Sequence, residues 1–349
     1  MKTVSKYFFL AVAACLGLTA CEDMMDLQPE GATKTDALKQ DAYNKIPANA
    51  AAEINAIYAQ MIELYAGGTS NHNDFGIASC MMLLESEGQD WIGPNTGYNW
   101  FAYSDFYARN YNAAVNLMLW NTYYKTIAAC NNVCASTDPE TDNPALMANL
   151  GQARAVRAYC YTVMAQLYQF PYSEATKNLP CVPIVVENMS AERQAANPRA
   201  SLQEVYDLIM SDLNYAVTAL EGWVRSDKGA ADQAVAYGLR ARAYLNMEMW
   251  AEAAADADAA LVGYEPYSLS EIEANPKFCN ASDHNWMWAL LLPMELTEAS
   301  GYSSLATWPS QLGSFSGTGY VAYAGIYRSI NSLLWNKISA TDARRSWWL

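Results

Sequence analysis

The sequence predicts a mainly α-helical protein, with antiparallel helical hairpins as its body and a loop-rich flank that carries a few short strands. Three features favour this class. Apolar residues recur at helical spacing in several stretches, one helix opens with a capping box, and two alanine-rich helices are joined by a very short turn. These features lie between residues 54 and 261, and the chain changes character after Pro266.

The first residues have the pattern of an export signal. Lys2 and Lys6 precede an apolar run over residues 7–18, which is too short to span a bilayer by itself. The Leu-Thr-Ala-Cys run that ends at Cys21 resembles a bacterial lipobox, in which the cysteine becomes the lipidated first residue. The alternative is an ordinary secretory signal that is cleaved near Ala20.

Composition divides the rest of the chain. The residues after the cysteine are polar and proline-punctuated, which is typical of an extended tether. The last residues, "DARRSWWL", stop on two tryptophans without a polar tail, so we expect a longer native chain. We predict a signal peptide over 1–20, a lipidated tether over 21–48, a helical body over 49–265 with an inserted aromatic loop at 87–104, and a loop-rich flank over 266–349.

Helical spacing begins at Ile54. Apolar residues at i, i+3, i+4, i+7, i+8 and i+11 predict one amphipathic helix that ends before two glycines. Further helices are predicted over Ile77–Ser86, from about Asp105 to Ala135, and from Pro144 to a point before Pro171. The stripe of the first helix is Ile54, Ile57, Tyr58, Met61, Ile62 and Tyr65, and that of the long helix is Val115, Leu119, Thr122, Tyr123 and Ile127.

The clearest helix start lies at Ser201. Its hydroxyl can accept from the backbone of Glu204 while the glutamate reaches back, and this capping box predicts a helix that extends to Leu220. The long loop before it contains the apolar run Cys181–Val186. We expect an edge strand or an extended crossing there, since Pro183 cannot donate to a central ladder.

Two alanine-rich helices, Gln233–Met247 and Trp250–Leu261, form the most informative pair. Small residues on both faces allow the helix axes to approach closely, which is typical of a hairpin of the tetratricopeptide (TPR) type. The tripeptide Arg-Ala-Tyr occurs at 157–159 and again at 242–244, a partial internal repeat. In the flank, "NWMWALLL" at 285–292 predicts a strand or two.

Charge and cysteine content restrict the function. The formal net charge is −15, and a chain this acidic repels nucleic acid phosphates, so nucleic acid is excluded as a partner. Only two histidines, His72 and His284, are available, so a zinc site has few ligands, and neither a metal nor another cofactor is predicted. We expect buried free thiols at Cys80, Cys130, Cys134, Cys160, Cys181 and Cys279.

The segment "DWIGPNTGYNWFAY" at 90–103 combines rings with glycine, proline and asparagine, residues that mark irregular surface backbone. A Trp or Tyr ring on such a segment can cover the apolar face of a ligand while its N–H or O–H remains in water. We therefore predict that Trp91, Tyr98 or Trp100 binds a ligand, and the alternative is that these rings pack onto the helical core. Rings within predicted helices are expected in the core, namely Tyr123, Tyr124, Tyr159, Tyr161, Tyr244 and Trp250.

Catalysis finds little support in the sequence. Neither histidine lies in a nucleophile motif, and a pair of glycosidase carboxylates cannot be identified among 36 acidic residues. The run "NHNDF" at 71–75 lacks the pattern of a calcium-binding EF-hand loop, so we expect a solvated polar loop. The sequence therefore predicts a protein that is not an enzyme.

Several segments together resemble the SusD/RagB family of surface glycan-binding lipoproteins of Bacteroidetes. The lipobox, "NWMWAL" and "DARRSWW" are also similar to that family. The longest similar segments are "ARAVRAYCYTVMAQLYQFPY" at 153–172, "LPCVPIVVEN" at 179–188, "PRASLQEVYDLIMSDLNYAVTAL" at 198–220 and "AVAYGLRARAYLNMEMWAEAAADADAAL" at 234–261.

The resemblance implies a TPR-like scaffold with a loop-rich ligand lobe and a SusC-like TonB-dependent transporter as partner. Trp91 and Asn95 match the place where the family has a sugar-binding Trp and Asn. An asparagine amide, with one acceptor and two donors, suits vicinal hydroxyls. Further aromatic residues of the family's binding arc follow the strand flank, where Trp308 and Tyr320, with Tyr302 and Tyr323, are available.

The predicted function is that of a lipid-anchored oligosaccharide-binding protein on the outer membrane, which faces the exterior and delivers glycan to the transporter. Three alternatives stay open at this point. The ligand could be a peptide, as in RagB-type members, the helical body could be a scaffold for a protein partner alone, or the chain could be a surface hydrolase.

Overall fold

A computed structural model describes residues 35–71, 73–88, 90–92, 110–274, 280, 282–291 and 329–348. These residues are mainly α-helical, as predicted, with one two-stranded sheet. The helices are α1 Asp36–Lys45, α2 Ala51–Ile62, α3 Ile77–Glu87, α4 Ala114–Ser136, α5 Pro144–Tyr168, α6 Ala191–Ala195, α7 Leu202–Ala219, α8 Gln233–Asn246, α9 Trp250–Ala260, α10 Leu269–Glu273 and α11 Ser332–Trp335. The strands are β1 Trp91–Ile92 and β2 Ser329–Ile330, and 3-10 helices cover Pro47–Ala50 and Ala343–Trp348.

The prediction of an extended tether up to residue 48 is wrong for α1. The hydroxyl of Thr35 caps this helix by accepting from Leu38 N at 3.3 Å. Gln40 Nε2 donates to Ala135 O at 3.2 Å, and Tyr43 is buried. The polar composition of this stretch gave no indication that Tyr43 packs on the helical body, where it lies in one cluster with Ala50 and Leu146. The remainder of the domain division stays a prediction.

The helix predicted from Ile54 is confirmed, but it ends at Ile62 rather than at Tyr65. Tyr65 has a left-handed backbone with φ of 59° and is exposed, so it lies outside the stripe. The chain then returns to α3 through Gly76, whose φ is +78°. A Cβ at Gly76 would lie 2.3 Å from Met61 O, so only glycine fits this close approach.

The expectation of a solvated loop at 71–75 is wrong for residues 73–75, which are buried. Asp74 is fully buried and accepts from Gly67 N at 2.9 Å, Thr69 N at 3.1 Å and Thr69 Oγ1 at 2.8 Å. Its carboxylate therefore organises the turn between α2 and α3 by satisfying donors that would otherwise be buried without partners.

The long helix α4 begins at Ala114 instead of about Asp105. Residues 110–113 form a turn, in which Ala113 N donates to Asn110 O at 2.9 Å, and residues 105–109 lie outside the described residues. The predicted apolar stripe of α4 is confirmed, because all five of its residues are buried. These five residues are Val115, Leu119, Thr122, Tyr123 and Ile127.

The run at 181–186 is not a regular strand, and with Glu187 it forms an extended segment that we call the crossing. Cys181 N donates to Ala200 O at 2.6 Å, and Ala200 N donates to Val182 O at 3.0 Å. Pro183 then interrupts further pairing, as expected for a residue without an N–H. The predicted capping box of Ser201 and Glu204 is confirmed at the start of α7.

One arginine at the centre of α5 joins three other parts of the chain. Arg157 Nε and Nη2 each donate to the carboxylate of Asp212 in α7 at 2.8 Å. Its Nη1 donates to Asn131 Oδ1 in α4 at 2.8 Å and also to Glu187 in the crossing. Burial is the largest single influence on the pKa of Glu187 and raises it, but the charge of Arg157 together with the hydrogen bonds to the carboxylate outweighs burial, so the pKa lies below its ordinary value. We call these four residues the Arg157 cluster.

The predicted hairpin of α8 and α9 is confirmed. Arg240 Nε and Nη2 bind the carboxylate of Asp256 at 2.6 and 2.8 Å, which joins the two helices. The two copies of the Arg-Ala-Tyr tripeptide lie in different environments, because Arg157 is buried whereas Arg242 is exposed. Trp250, predicted in the core, is 61% exposed because it is the first residue of α9 and lies beyond the packed interface.

The other predicted core tyrosines pack into the helical body, although not all to the same depth. Tyr123, Tyr159 and Tyr161 are buried, whereas Tyr124 and Tyr244 are half-buried. Five cysteines are free and buried, as predicted, and the sixth, Cys279, lies outside the described residues. The five are Cys80, Cys130, Cys134, Cys160 and Cys181.

The strand predicted over 285–292 is wrong for its described part, 285–291, which has no regular secondary structure. Ala289 N donates to Lys228 O at 3.0 Å, and Trp288 Nε1 donates to Gly229 O at 2.9 Å. These contacts anchor the segment on the connection between α7 and α8 without a continuous ladder, so the alternation of apolar residues reflects packing on that connection.

Replacing Arg157 by methionine leaves Asp212 buried without its partner. We expect the free energy of unfolding to fall by about 3–5 kcal/mol, because the buried carboxylate keeps its desolvation cost and loses its ion pair. Urea titration followed by circular dichroism measures the change.

A double variant, Arg157→Met with Asp212→Leu, should recover more than half of that loss, since no buried charge then remains in this pair. Lys45→Met, at the exposed pair with Asp41, is the control and should change the free energy by less than about 0.5 kcal/mol. Similar losses for the Arg157 and Lys45 variants would contradict the role of the cluster.

Candidate ligand-binding site

Most of the predicted ligand residues lie outside the described residues. These are Asn95, Tyr98, Trp100, Trp308 and Tyr320, together with Tyr302, Tyr323 and the lipidation residue Cys21. The exception is Trp91, whose backbone forms β1. The assignment of ligand contacts to these residues stays a prediction, but the structure describes the ends of the chain segments that carry them.

The two predicted ligand segments begin and end at one small sheet. Strand β1 pairs antiparallel with β2, with Trp91 opposite Ile330 and Ile92 opposite Ser329. The aromatic segment therefore leaves the sheet after Ile92, and the segment that carries Trp308 and Tyr320 returns to it at Ser329. Opposite Cα atoms in such a ladder are about 5 Å apart, so the two attachment points are adjacent.

Further contacts hold the sheet in place. Asn331 N donates to Asp90 O at 2.9 Å, which extends the pairing by one residue. The Asn331 side chain also caps α11 by accepting from Leu333 N at 2.8 Å. The guanidinium of Arg345 lies 4.2 Å from the ring centre of Trp335, so the end of the described chain covers α11.

The described residues continue at Asn110, in the turn that precedes α4. Asn116 Nδ2 donates to Asn110 O at 2.6 Å across this turn. The chain between residues 92 and 110 therefore connects β1 with the first turn of a 23-residue helix.

The sequence did not predict a cavity of about 630 Å³ where α4 and α5 meet the crossing. We call it the Trp120 cavity. The Trp120 ring lies 5.2 Å from the Tyr168 ring at 81° and 4.7 Å from the Tyr124 ring at 45°. Burial raises the pKa of Tyr168 to about 12, so its hydroxyl keeps its proton at neutral pH. The cavity is lined by Trp120, Leu167, Tyr168, Gln169, Phe170, Cys181 and Arg199.

A second cavity of about 680 Å³ lies beside the connection between α7 and α8. Arg225 in its wall pairs with Asp232 at 2.9 Å, and Arg225 Nη2 donates to Tyr264 Oη at 2.7 Å. The lining also includes Asp227 and Lys228, so cations and anions are balanced there. Lys228 Nζ donates to Asp283 O, and Asp227 accepts from Gly229 N at 2.8 Å, so all four charged groups have partners within the protein.

Within the described ranges, no group of three or more His, Cys, Asp or Glu side chains could hold a metal ion. The buried cysteines do not resemble reactive thiols either. Burial raises the pKa of Cys80 to about 12 and, against the opposing effect of Arg199, that of Cys181 to about 11. Among the same residues, no helix is both long and apolar enough to cross a membrane.

The fold and the sequence together identify a family. A family model for SusD-like proteins, described as starch-binding and associating with the outer membrane, matches residues 36–245. This match covers more than half of the chain, so the chain belongs to the SusD-like family. The predicted resemblance is thereby confirmed.

Individual relatives are distant. A SusD-like protein from Bacteroides ovatus is 23% identical over 250 residues, which cover 70% of this chain and 40% of that protein. The crystal structure of a SusD-like carbohydrate-binding protein from Bacteroides vulgatus ATCC 8482 has a TM-score of 0.71 at 20% identity and covers 86% of this chain and 60% of that one.

A SusD superfamily protein from Bacteroides thetaiotaomicron VPI-5482 has a TM-score of 0.63 at 17% identity, with 85% of this chain and 63% of that chain covered. At these identities the structural likeness shows the fold. The chain spans 40 to 63% of the length of these relatives.

The pairing of β1 with β2 can be tested by a disulfide. Cysteines introduced as Ile92→Cys and Ser329→Cys should oxidise readily, because opposite residues of an antiparallel ladder have Cα atoms about 5 Å apart, within the range of a disulfide. Peptide mapping by mass spectrometry identifies the bond.

The control combines Ile92→Cys with Leu333→Cys, an exposed position four residues beyond Ser329. It should remain reduced under the same mild oxidation. Free thiols in the first pair, or equal oxidation of both pairs, would contradict the adjacency of the two segments.

Proposed function

We propose that this chain binds oligosaccharide at the bacterial surface through aromatic residues of the segments 90–103 and 302–323. The observation that carries the proposal is the β1–β2 ladder, in which Ile92 and Ser329 lie opposite each other. Two aromatic-rich segments that are distant in sequence thus start from one place on a rigid helical body. The family is described as starch-binding, which supports a glycan as ligand.

The chemistry of the residues suits a sugar. An indole or phenol ring covers the C–H face of a pyranose, and an amide such as that of Asn95 can bind its hydroxyls. Trp91, Tyr98, Trp100, Trp308 and Tyr320 supply rings from both segments. Rings that approach a sugar from two sides bury more of its apolar surface than one segment alone can.

We further propose that Cys21 carries a lipid anchor to the outer membrane and that a SusC-like TonB-dependent transporter receives the glycan. The lipobox pattern and the family's described association with the outer membrane support the anchor. Binding by the isolated chain is then weak, since the transporter adds to the effective affinity. The chain acts as a binding protein, and glycan chemistry is left to other proteins.

Replacing Trp91 by alanine should weaken glycan binding about 30-fold, because the loss of a central aromatic contact costs about 2 kcal/mol. Affinity gels that contain a panel of polysaccharides first identify a retarding glycan. Calorimetry with its oligosaccharides then gives the dissociation constant for each variant.

Trp250→Ala is the matched control, since it removes an exposed indole from the helical body and should leave affinity unchanged. Unchanged affinity in Trp91→Ala would remove that residue from the site. If no glycan retards the chain and peptides bind instead, the ligand class is wrong, and release of products from a bound glycan would identify a hydrolase.

A further inference from the structure

The Trp120 cavity has an unusual charge for this chain. The sequence has 36 acidic and 21 basic residues, yet among the described residues the only charged side chain that lines the cavity is Arg199. None of the described lining residues is Asp or Glu. The second cavity shows the contrast, since Arg225 there pairs with Asp232 at 2.9 Å. An unneutralised cation in a cavity attracts an anionic ligand.

Arg199 is exposed, and its guanidinium is bound by neutral acceptors. Its Nε donates to Cys181 O, and its Nη2 donates to Tyr168 O at 3.2 Å and to Pro180 O. Backbone carbonyls orient the guanidinium but leave its charge unneutralised. No carboxylate of the described residues lies within 4.0 Å of it, and Nη1 makes no hydrogen bond with them.

Nη1 therefore keeps both of its N–H donors for a ligand, at a position that the other three hydrogen bonds fix in advance. A donor that is already oriented loses little conformational entropy on binding, which favours affinity. A hydrogen bond between an arginine and a carboxylate is also among the strongest in proteins.

Most of the remaining lining is aromatic or aliphatic, namely Trp120, Leu167, Tyr168 and Phe170. Tyr124 Oη donates to Pro183 O at 2.6 Å, which fixes the ring that supports Trp120. Phe170 is 71% exposed at the rim, where a ligand can reach it. The cavity has a volume of about 630 Å³ and is widely open to solvent, so a sugar ring can reach its lining. Such walls suit the C–H face of a pyranose.

We propose that the Trp120 cavity binds a uronic acid residue of the oligosaccharide, with the sugar carboxylate on Arg199 Nη1 and the pyranose face against Trp120. This inference rests on the proposed function and names the chemical class of its ligand. The negative net charge of the chain does not prevent binding, because salt screens charges beyond about 8 Å at physiological ionic strength.

The test compares ligands that differ only in charge. Oligogalacturonides and glucuronate-containing oligosaccharides of fixed length are titrated against the full chain by calorimetry, each beside its methyl ester. We expect the acid to bind at least about tenfold more tightly than the ester in one of the two series, since a charge-assisted hydrogen bond is lost. The preference should decrease in high salt.

Variants locate the effect. Arg199→Gln should abolish the preference for the acid, whereas Arg242→Gln, at an exposed arginine, should retain it. Trp120→Ala should weaken acid and ester alike, and Trp250→Ala neither. Thermal unfolding monitors the fold of each variant, and Phe170→Ala, at an exposed rim position, tests the cavity without disturbing the interior.

Equal affinities for acid and ester in both series would overturn the inference, even if other glycans bind and the proposed function holds. The comparison of ligands uses the unchanged protein, so it does not depend on whether a variant folds. Binding of a peptide with a free C-terminal carboxylate but not of its amide, without binding of uronides, would also overturn it. Absence of binding to any glycan would instead overturn the proposed function itself.

Discussion

The buried guanidinium of Arg157 is the contact on which the described helical body depends most. One side chain binds Asp212 in α7, Asn131 in α4 and Glu187 in the crossing. Because its charge has been removed from water, every one of these hydrogen bonds is needed to offset the cost of desolvation. The cluster thus fixes the packing of α5 against α4 and α7, and it also fixes the position of the crossing relative to these helices.

The crossing links this central cluster to the Trp120 cavity. Glu187 holds one end of the crossing at Arg157, and at the other end Cys181 N donates to Ala200 O while Arg199 donates to Cys181 O. Cys181 and Arg199 also line the cavity. The crossing thus contacts both the central cluster and the cation that lines the cavity among the described residues.

Long periodic elements were predictable, and contacts between distant residues were not. The capping box at Ser201 and the small-residue hairpin have local signals, so the sequence predicted both correctly. A two-residue strand has no period, so nothing local pairs Ile92 with Ser329. No sequence pattern indicated Arg199 as a ligand residue either, because the backbone carbonyls that bind its guanidinium are brought to it only by the fold. The sequence could predict the ligand residues but not the β1–β2 pairing that brings the ends of their segments together.

The central claim is that the β1–β2 pairing lets the two aromatic segments form one binding surface. Hydroxyl-radical footprinting read by mass spectrometry tests it directly, because it reports the solvent access of each tryptophan with and without saturating glycan. The account predicts that Trp91 and Trp308 become protected together, while the exposed Trp250 is labelled equally in both states. Protection confined to one segment, or absent from both while glycan is bound, would contradict it.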